Sequence, residues 1–443
     1  TYCDRRRAYF VAFPKSLFQE LNFLTDFRLD SFVSTQVLLQ LGSDLQQYTV
    51  SHRLANEEIS SEIKPTVTTF YTKLAMFRDR IPRHDFSCLS QVSNHLPGRQ
   101  GVNWDTVVTE SLAKYAKGLV DRPQCFSFGK VFPETYFLYK KQDCQEFFKI
   151  LDSARYQETK KRRTFVYMKK LAIGEQIGTG GEPVNDFAEE ELRKLYDRGN
   201  YCGTAQYKYL IQRYIHDPLQ FGNQRVDFRM FMLVASLNPL IVYYHDGFLQ
   251  MNGMQSDLQS FSSYLLTKGV LNDPQWLNNY LRPEFKKAMI HLLRAGVITP
   301  LEDSSVYQLY AIDFILDSKL DVWFVKANPA MDLSNLKESS TERLIAKLLA
   351  DEIEIVMGLL RSRMKRVIKF VNELLRDGLV QENKDGEVKI RDLELKRIIF
   401  QKITENYFEK EFNPQKTNGF QKIFDANHKG WAKYGGLVNY ECL

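Results

Sequence analysis

Apolar residues late in the chain recur at threes and fours: Ile345, Leu348, Ile353, Val356, Leu360, Val367, Val371 and Leu374. That spacing gathers side chains on one face of a helix, so the pattern predicts a long helix over 341–376. Its other face carries Arg361, Arg363, Lys365, Arg366 and Lys369, which reads either as a solvated face or as a docking face for an acidic surface. Two pairs of apolar runs read as hairpins: 228–235 with 241–248, turning at Asn238-Pro239, and 311–316 with 322–325, turning at Ser318-Lys319. Their near-continuous apolar character predicts strands covered on both faces, as in an α/β layer structure. Residues 164–168 read as a further strand, 131–138 as strand-like, and 104–119 and 189–196 as helices. The segment 174–181 is a loop holding four glycines, and Pro97-Gly98 forces a turn.

The 443 residues leave room for about two to four compact units at roughly 100–200 residues each. Four segments are expected: a small α/β lobe at 1–80, a central part at 81–160, a core at 161–340, and a helical extension with a tail at 341–443. The tail's aromatics, Phe420, Phe424, Trp431 and Tyr434, predict that it is pinned onto the body. With 44% apolar residues, 31 Phe and 23 Tyr, the chain has the material for a real core. A net charge of +6 favours anionic partners without choosing among acidic protein tails, nucleotides and nucleic acid.

Six cysteines without a CxxC spacing argue against a disulfide framework or a zinc site and fit a reducing compartment. No run of about 18 apolar residues occurs and no leader pattern opens the sequence, so a cytoplasmic protein without a membrane span is expected.

Candidate chemistry sits on the hairpins. In Arg225-Val226-Asp227-Phe228-Arg229 the period of two places Arg225, Asp227 and Arg229 on one face. Two cations flanking a carboxylate make a phosphate clamp, though taken alone the segment reads first as a surface ion-pair ladder. Asp313 at a strand end and Asn328 just after the returning strand bring hard oxygens of the kind Mg²⁺ takes, though both are also ordinary turn residues. The glycine loop follows Lys169 and Lys170. Backbone N–H groups in such a loop can line up on phosphate, but this is neither a P-loop nor a dinucleotide fingerprint.

The order of these features resembles the tubulin tyrosine ligase-like family. That family carries an Asn-His-Phe-Pro-Gly-like loop, Phe-Pro-x-Thr-Tyr-x-Leu, a lysine strand with a glycine loop, Gln-x-Tyr-Ile-x-x-Pro-Leu, Lys-Phe-Asp-Leu-Arg and a closing Asp…Trp-Leu-x-Glu-x-Asn. In this chain stand Asn94-His95-Leu96-Pro97-Gly98, Phe132-Pro133-Glu134-Thr135-Tyr136-Phe137-Leu138, the Lys169/Lys170 strand and Gln212-Arg213-Tyr214-Ile215-His216-Asp217-Pro218-Leu219. Arg225 to Arg229 come next, and Asp313 and Trp323-Phe324-Val325-Lys326-Ala327-Asn328 close the series.

The resemblance covers 91–335 and implies an ATP-grasp fold, with two mixed sheets flanked by helices and ATP between them. Active members phosphorylate a carboxylate and then form an amide on a tubulin tail. Carried over, Lys170 or Lys169 meets the phosphates beneath Gly178 and Gly180, and Gln212, Tyr214 and Ile215 line the adenine slot. Arg225 joins the cofactor, Arg229 and Asp227 are the catalytic pair, and Asp313 with Asn328 holds Mg²⁺.

Three departures follow from the same resemblance. The family's metal-binding Glu is Lys326 here. A +1 and a +2 charge about 4 Å apart at an effective dielectric of about 20 repel by about 8 kcal/mol before relaxation. An Arg that steadies phosphate charge is replaced around Gln250, and His-Leu-Thr-Asn becomes Leu265-Leu266-Thr267-Lys268. ATP and Mg²⁺ are therefore both in question. The expectation is a ligase-like protein without transfer activity, binding tubulin or microtubules as a scaffold with other axonemal proteins, in the cytoskeleton of a cilium. The alternative is an active glutamylase or glycylase. A nucleic-acid module fits poorly, because the basic residues are not interleaved with exposed aromatics.

Overall fold

A computed structural model describes residues 21–25, 48–51, 67–71, 91–94, 105–119, 131–163, 165–173, 176–177, 181–203, 208–221, 224–237, 240–251, 254–297, 306–328, 339–382, 384, 392, 394–395, 398 and 414–425. Of the features expected above, the loop residues 95–98, Gly178, Gly180, the Asn238-Pro239 turn, Trp431 and Tyr434 lie outside these residues, as do the side chains of Arg361 and Lys365.

Short strands β1 (Leu21–Thr25), β2 (Tyr48–Ser51), β3 (Val67–Tyr71) and β4 (Gln91–Ser93) form a parallel sheet in the order β2-β1-β3-β4. Helix α1 (Asp105–Leu119) follows. Strand β5 (Thr135–Phe137) is shorter than the aromatic pattern implied, because 131–134 run as a turn before it. Then come α2 (Lys141–Leu151), α3 (Ala154–Arg162), β6 (Tyr167–Ile173), β7 (Gln176–Ile177), β8 (Glu182–Pro183), α4 (Asp186–Leu195) and β9 (Tyr209–Arg213). Ser153 and Asn185 accept from the backbone N–H three residues on, which sets where α3 and α4 begin. The strands pair antiparallel in the order β5-β9-β6-β7, with β8 on β6. Tyr136, Tyr167 and Ile211 on one face of this sheet pack with Phe147, Phe148, Tyr156 and Leu192 of α2 to α4.

Contrary to the expectation from cysteine spacing, the chain holds a disulfide. Cys144 of α2 and Cys202 beyond α4 are bonded within that core, their Cα atoms 5.5 Å apart and 58 residues apart in sequence. Cysteine spacing along a chain does not reveal which residues a helical layer brings face to face.

After β10 (Gln220–Phe221) and β11 (Gln224–Arg225), both predicted hairpins appear, longer than their apolar runs: β12 (Asp227–Leu237) with β13 (Leu240–Met251), then β14 (Met254–Ser256), α5 (Leu258–Thr267), α6 (Arg282–Leu292), and β15 (Gln308–Leu316) with β16 (Val322–Asn328). The turn between β15 and β16 is held by Asp317, whose Oδ1 accepts from Lys319 N and Asp321 N.

Helix α7 (Ser339–Arg376) and β17 (Gln421–Asp425) are the last of the described elements. The second sheet runs β14-β13-β12-β15-β16 with β17 against β13, all antiparallel. Every residue of β15 is buried, as an apolar run covered on both faces requires. On one face Phe228 meets Phe261 of α5 at 5.1 Å and Phe285 of α6 meets Phe314 at 4.9 Å. Toward α7, Asp351 accepts from Gly419 N and lies 4.0 Å from His245, pinning the tail to β13. Arg363, read from sequence as part of an exposed basic face, is buried. The α/β class is the one implied by the resemblance, but the two large sheets are antiparallel throughout rather than mixed, each strand being joined to its neighbour by hairpins and returning segments. No described helix is long and apolar enough to cross a membrane.

Candidate functional site

The sequence placed Lys169 and Lys170 together, but adjacent residues in a strand point to opposite faces. Lys169 turns to the helical side, where Glu182 at 2.9 Å and Glu191 at 3.6 Å surround its ammonium. Lys170 turns to the other side and donates to Gln212 Oε1 at 3.0 Å. Gln212 Nε2 donates to Thr135 Oγ1 at 3.2 Å, and Thr135 in turn donates to Pro133 O at 2.7 Å. Three strands thus contribute one connected polar line on a single face, with Thr135 the member that sequence reading left without a role. Tyr214 and Ile215 follow directly on β9. The Tyr214 ring lies against Phe165 at 5.1 Å and His216 at 4.9 Å, and its N–H donates to Val166 O. Ile215 is half-buried beside it. At the end of the glycine loop, a Cβ on Gly181 would come within 3.2 Å of Met168, so the loop returns close to β6.

The second sheet holds the remaining candidates. Arg225 Nε donates to Asp227 at 3.0 Å, an ion pair about half exposed on both sides, and Asp227 stands opposite Gln250. Two residues on, register places Phe248, Arg229, Asp313 and Lys326 in one row across β13, β12, β15 and β16. Arg229 donates to both carboxylate oxygens of Asp313, at 2.8 and 2.9 Å. Burial pulls the Arg229 guanidinium down, but the hydrogen bonds and charge of Asp313 more than offset it and hold the group above its ordinary value.

Lys326 Nζ lies 3.8 Å from Asp313 Oδ2 with its side chain 44% exposed, so water screens part of their attraction. Asn328 stands opposite Ala311, two positions along the same strand face. Gly247 secures the end of the row. It has φ of +48°, and a Cβ there would lie 2.0 Å from Arg229 O, so the bulge beside Arg229 needs glycine.

These residues do not fit a divalent cation. Both oxygens of Asp313 already accept from Arg229, a second cation stands at 3.8 Å, and Asn328 offers one amide oxygen. Among the described residues no group of three or more His, Cys, Asp and Glu is arranged for a metal ion. The Leu265 to Lys268 segment contributes nothing polar to the row. Leu265 is in the core, Thr267 donates to Ser263 O within α5, and Lys268 covers the Tyr264 ring.

On the opposite, helical side of the first sheet lies an open cleft of about 480 Å³ lined by Glu134, Tyr136, Tyr156, Tyr167, Arg213 and Trp323, among others. The hydroxyls of Tyr136 and Tyr167 both donate to the Glu134 carboxylate. Burial first, and then the Glu134 charge, drive both phenols far above their usual range, so they remain donors. Glu134 and Tyr136 stand in a motif quoted above, but their partners Tyr167 and Arg213 come from other strands. Nothing in local spacing joins them.

Residues 91–251 match the model of the Tubulin-tyrosine ligase family. Over 211 residues the chain is 25% identical to "Tubulin monoglycylase TTLL3" of Homo sapiens, covering 39% of this chain and 27% of that protein. Over 238 residues it is 26% identical to "Probable tubulin polyglutamylase TTLL9" of Bos taurus, covering 46% and 50%. With "Tubulin glycylase 3A" of Drosophila melanogaster, 21% identical, it shares 20% of that protein's length. The chain thus spans half or less of each of these relatives. Among solved structures, the C-terminal domain of K. lactis Pby1, described as an ATP-grasp enzyme interacting with the mRNA decapping enzyme Dcp2, aligns with a TM-score of 0.44 and 14% identity over 75% of this chain and 91% of that one. Over residues 91–251 the chain is thus similar to the Tubulin-tyrosine ligase family, the resemblance its motifs carried.

Proposed function

We propose that this tubulin tyrosine ligase-like chain binds tubulin and a nucleotide and has lost most of its capacity for amide transfer. The observation that carries the reading is the Arg229–Asp313–Lys326 row. The carboxylate that a ligase of this family needs for Mg²⁺ is engaged on both oxygens by a guanidinium and approached by an ammonium. In this reading ATP lies between the two sheets, Lys170 and Gln212 face it from one side, and Arg225, Asp227 and Arg229 from the other. Gln250 opposite Asp227 adds no charge to steady a developing acyl phosphate.

The protein then serves as a structural component on microtubules, with axonemal microtubules of a cilium as the proposed setting. The relatives' named activities on tubulin and the excess positive charge of this chain support tubulin as the partner. Those same names favour a second reading, an active glycylase or glutamylase working through a rearranged site.

Incubation with tubulin, ATP, Mg²⁺ and radiolabelled glutamate, glycine or tyrosine separates the two. The expected result is co-sedimentation with microtubules and no label on tubulin above a no-enzyme control. Transfer of label at a rate comparable to a glycylase assayed in parallel would refute the impaired reading.

A further inference from the structure

This inference rests on the reading of the space between the sheets as a nucleotide site. In the four-strand row, Asp313 is the single carboxylate and Arg229 and Lys326 are the two cations, so the formal sum is +1. Arg229 is spent on Asp313 through a bidentate pair, which fixes the guanidinium plane and leaves it as a rigid floor. Lys326 is not spent. At 3.8 Å from Asp313 Oδ2 it is attracted but not hydrogen-bonded, and its partly exposed stem lets the ammonium swing. Arg225 and Asp227 cancel one another at the neighbouring position.

A divalent ion entering here would have to take Asp313 from Arg229 and then sit beside Lys326. A phosphate oxygen meets the reverse situation. It needs no carboxylate, it gains up to three donors from one ammonium, and its charge matches the excess of the row.

We propose that this site takes the polyphosphate of a nucleoside triphosphate without a divalent metal, Lys326 supplying from the protein the positive charge that a bound ion supplies elsewhere. The site thereby becomes a metal-independent nucleotide sensor or structural nucleotide site. The step is binding alone; no bond is made or broken.

Calorimetric titration of the full chain with ATP, ADP and AMP, once in EDTA and once in excess Mg²⁺, tests this. ATP is expected to bind in EDTA within about threefold of its affinity in Mg²⁺, and more tightly than AMP. Lys326→Ala is expected to weaken binding in EDTA by about tenfold. Lys326→Glu is expected to abolish binding in EDTA and make any remaining binding depend on Mg²⁺. Lys194→Ala, a surface change at a residue paired with Glu190, is the control for loss of a cation elsewhere. Thermal melts establish that each variant is folded, as the exposure of Lys326 leads one to expect.

ATP binding that requires Mg²⁺ in the unaltered chain would overturn the inference and leave the nucleotide site standing. So would binding in EDTA that is indifferent to Lys326. Absence of binding in both buffers would overturn the inference and the nucleotide site together.

Discussion

The two large sheets handle their cations in opposite ways. In the five-stranded sheet two lysines adjacent in sequence are separated by the sheet: Lys169 goes to Glu182 and Glu191 among the helices, and Lys170 to the amide of Gln212. In the six-stranded sheet Arg229 and Lys326 are distant in sequence, yet register sets them on either side of one buried carboxylate. The first sheet's helical face spends its charges on internal pairs and is braced by the Cys144–Cys202 bond. The second sheet leaves a cation in excess beside Asp313. Neighbourhood along a strand says little about shared chemistry; neighbourhood across strands says a great deal.

The largest expected effect strikes the braced sheet. Cys144→Ser opens a loop of 58 residues, and the chain-entropy account puts the loss at about 4 kcal/mol. Denaturant unfolding with and without reductant should show wild type falling to the level of the variant when reduced. A variant as stable as the oxidised wild type would remove the brace from the comparison.

Next, Arg229→Ala leaves the nearly buried Asp313 carboxylate without its bidentate partner, at a cost of about 3 kcal/mol. Arg229→Ala combined with Asp313→Ala should recover most of that loss in the same unfolding measurement. Strict additivity of the two changes would mean the row is not a coupled unit.

A third effect is spread over several pH units and contrasts two neighbours on α7. Asp351 is satisfied by Lys347 and by the N–H of Gly419, whereas both carboxylate oxygens of Glu352 are buried without a hydrogen-bond partner among the described residues. Burial pushes Glu352 from 4.5 up to about 8, so the native state holds its proton more tightly than the unfolded chain does. The associated stability is complete below the unfolded value near 4.5 and is lost as pH rises toward about 8, at up to about 1.4 kcal/mol per pH unit. Unfolding free energies measured from pH 5 to 8 should fall for wild type and stay flatter for Glu352→Gln.

Smallest is the lysine contrast itself. Lys170→Ala should weaken ATP binding by about tenfold, while Lys169→Ala should instead cost less than about 1 kcal/mol of stability through its partly exposed ion pairs. The opposite assignment would reverse the faces of β6.

Much of this was legible in the chain. The apolar runs around Phe228 and Phe314 identified the hairpins because a strand buried on both faces must be apolar at nearly every position. The periodicity of 341–376 identified α7, and the ordered motifs identified the family segment. Face assignment within β6 was less legible. Alternation by two separates Lys169 from Lys170, but it does not say which side meets the helices. Arg363 was misassigned for a related reason: one helix can be covered from several sides.

Local periodicity follows from backbone geometry shared by all chains, and motif order is itself linear, so the sequence carried the strands, the long helix and the resemblance to tubulin ligases. The closure of Cys144 on Cys202, the grip of Arg229 on both oxygens of Asp313 and the approach of Lys326 depend on which strands and helices end up side by side. Those contacts are set by packing between segments tens of residues apart, and no short window of sequence contains them.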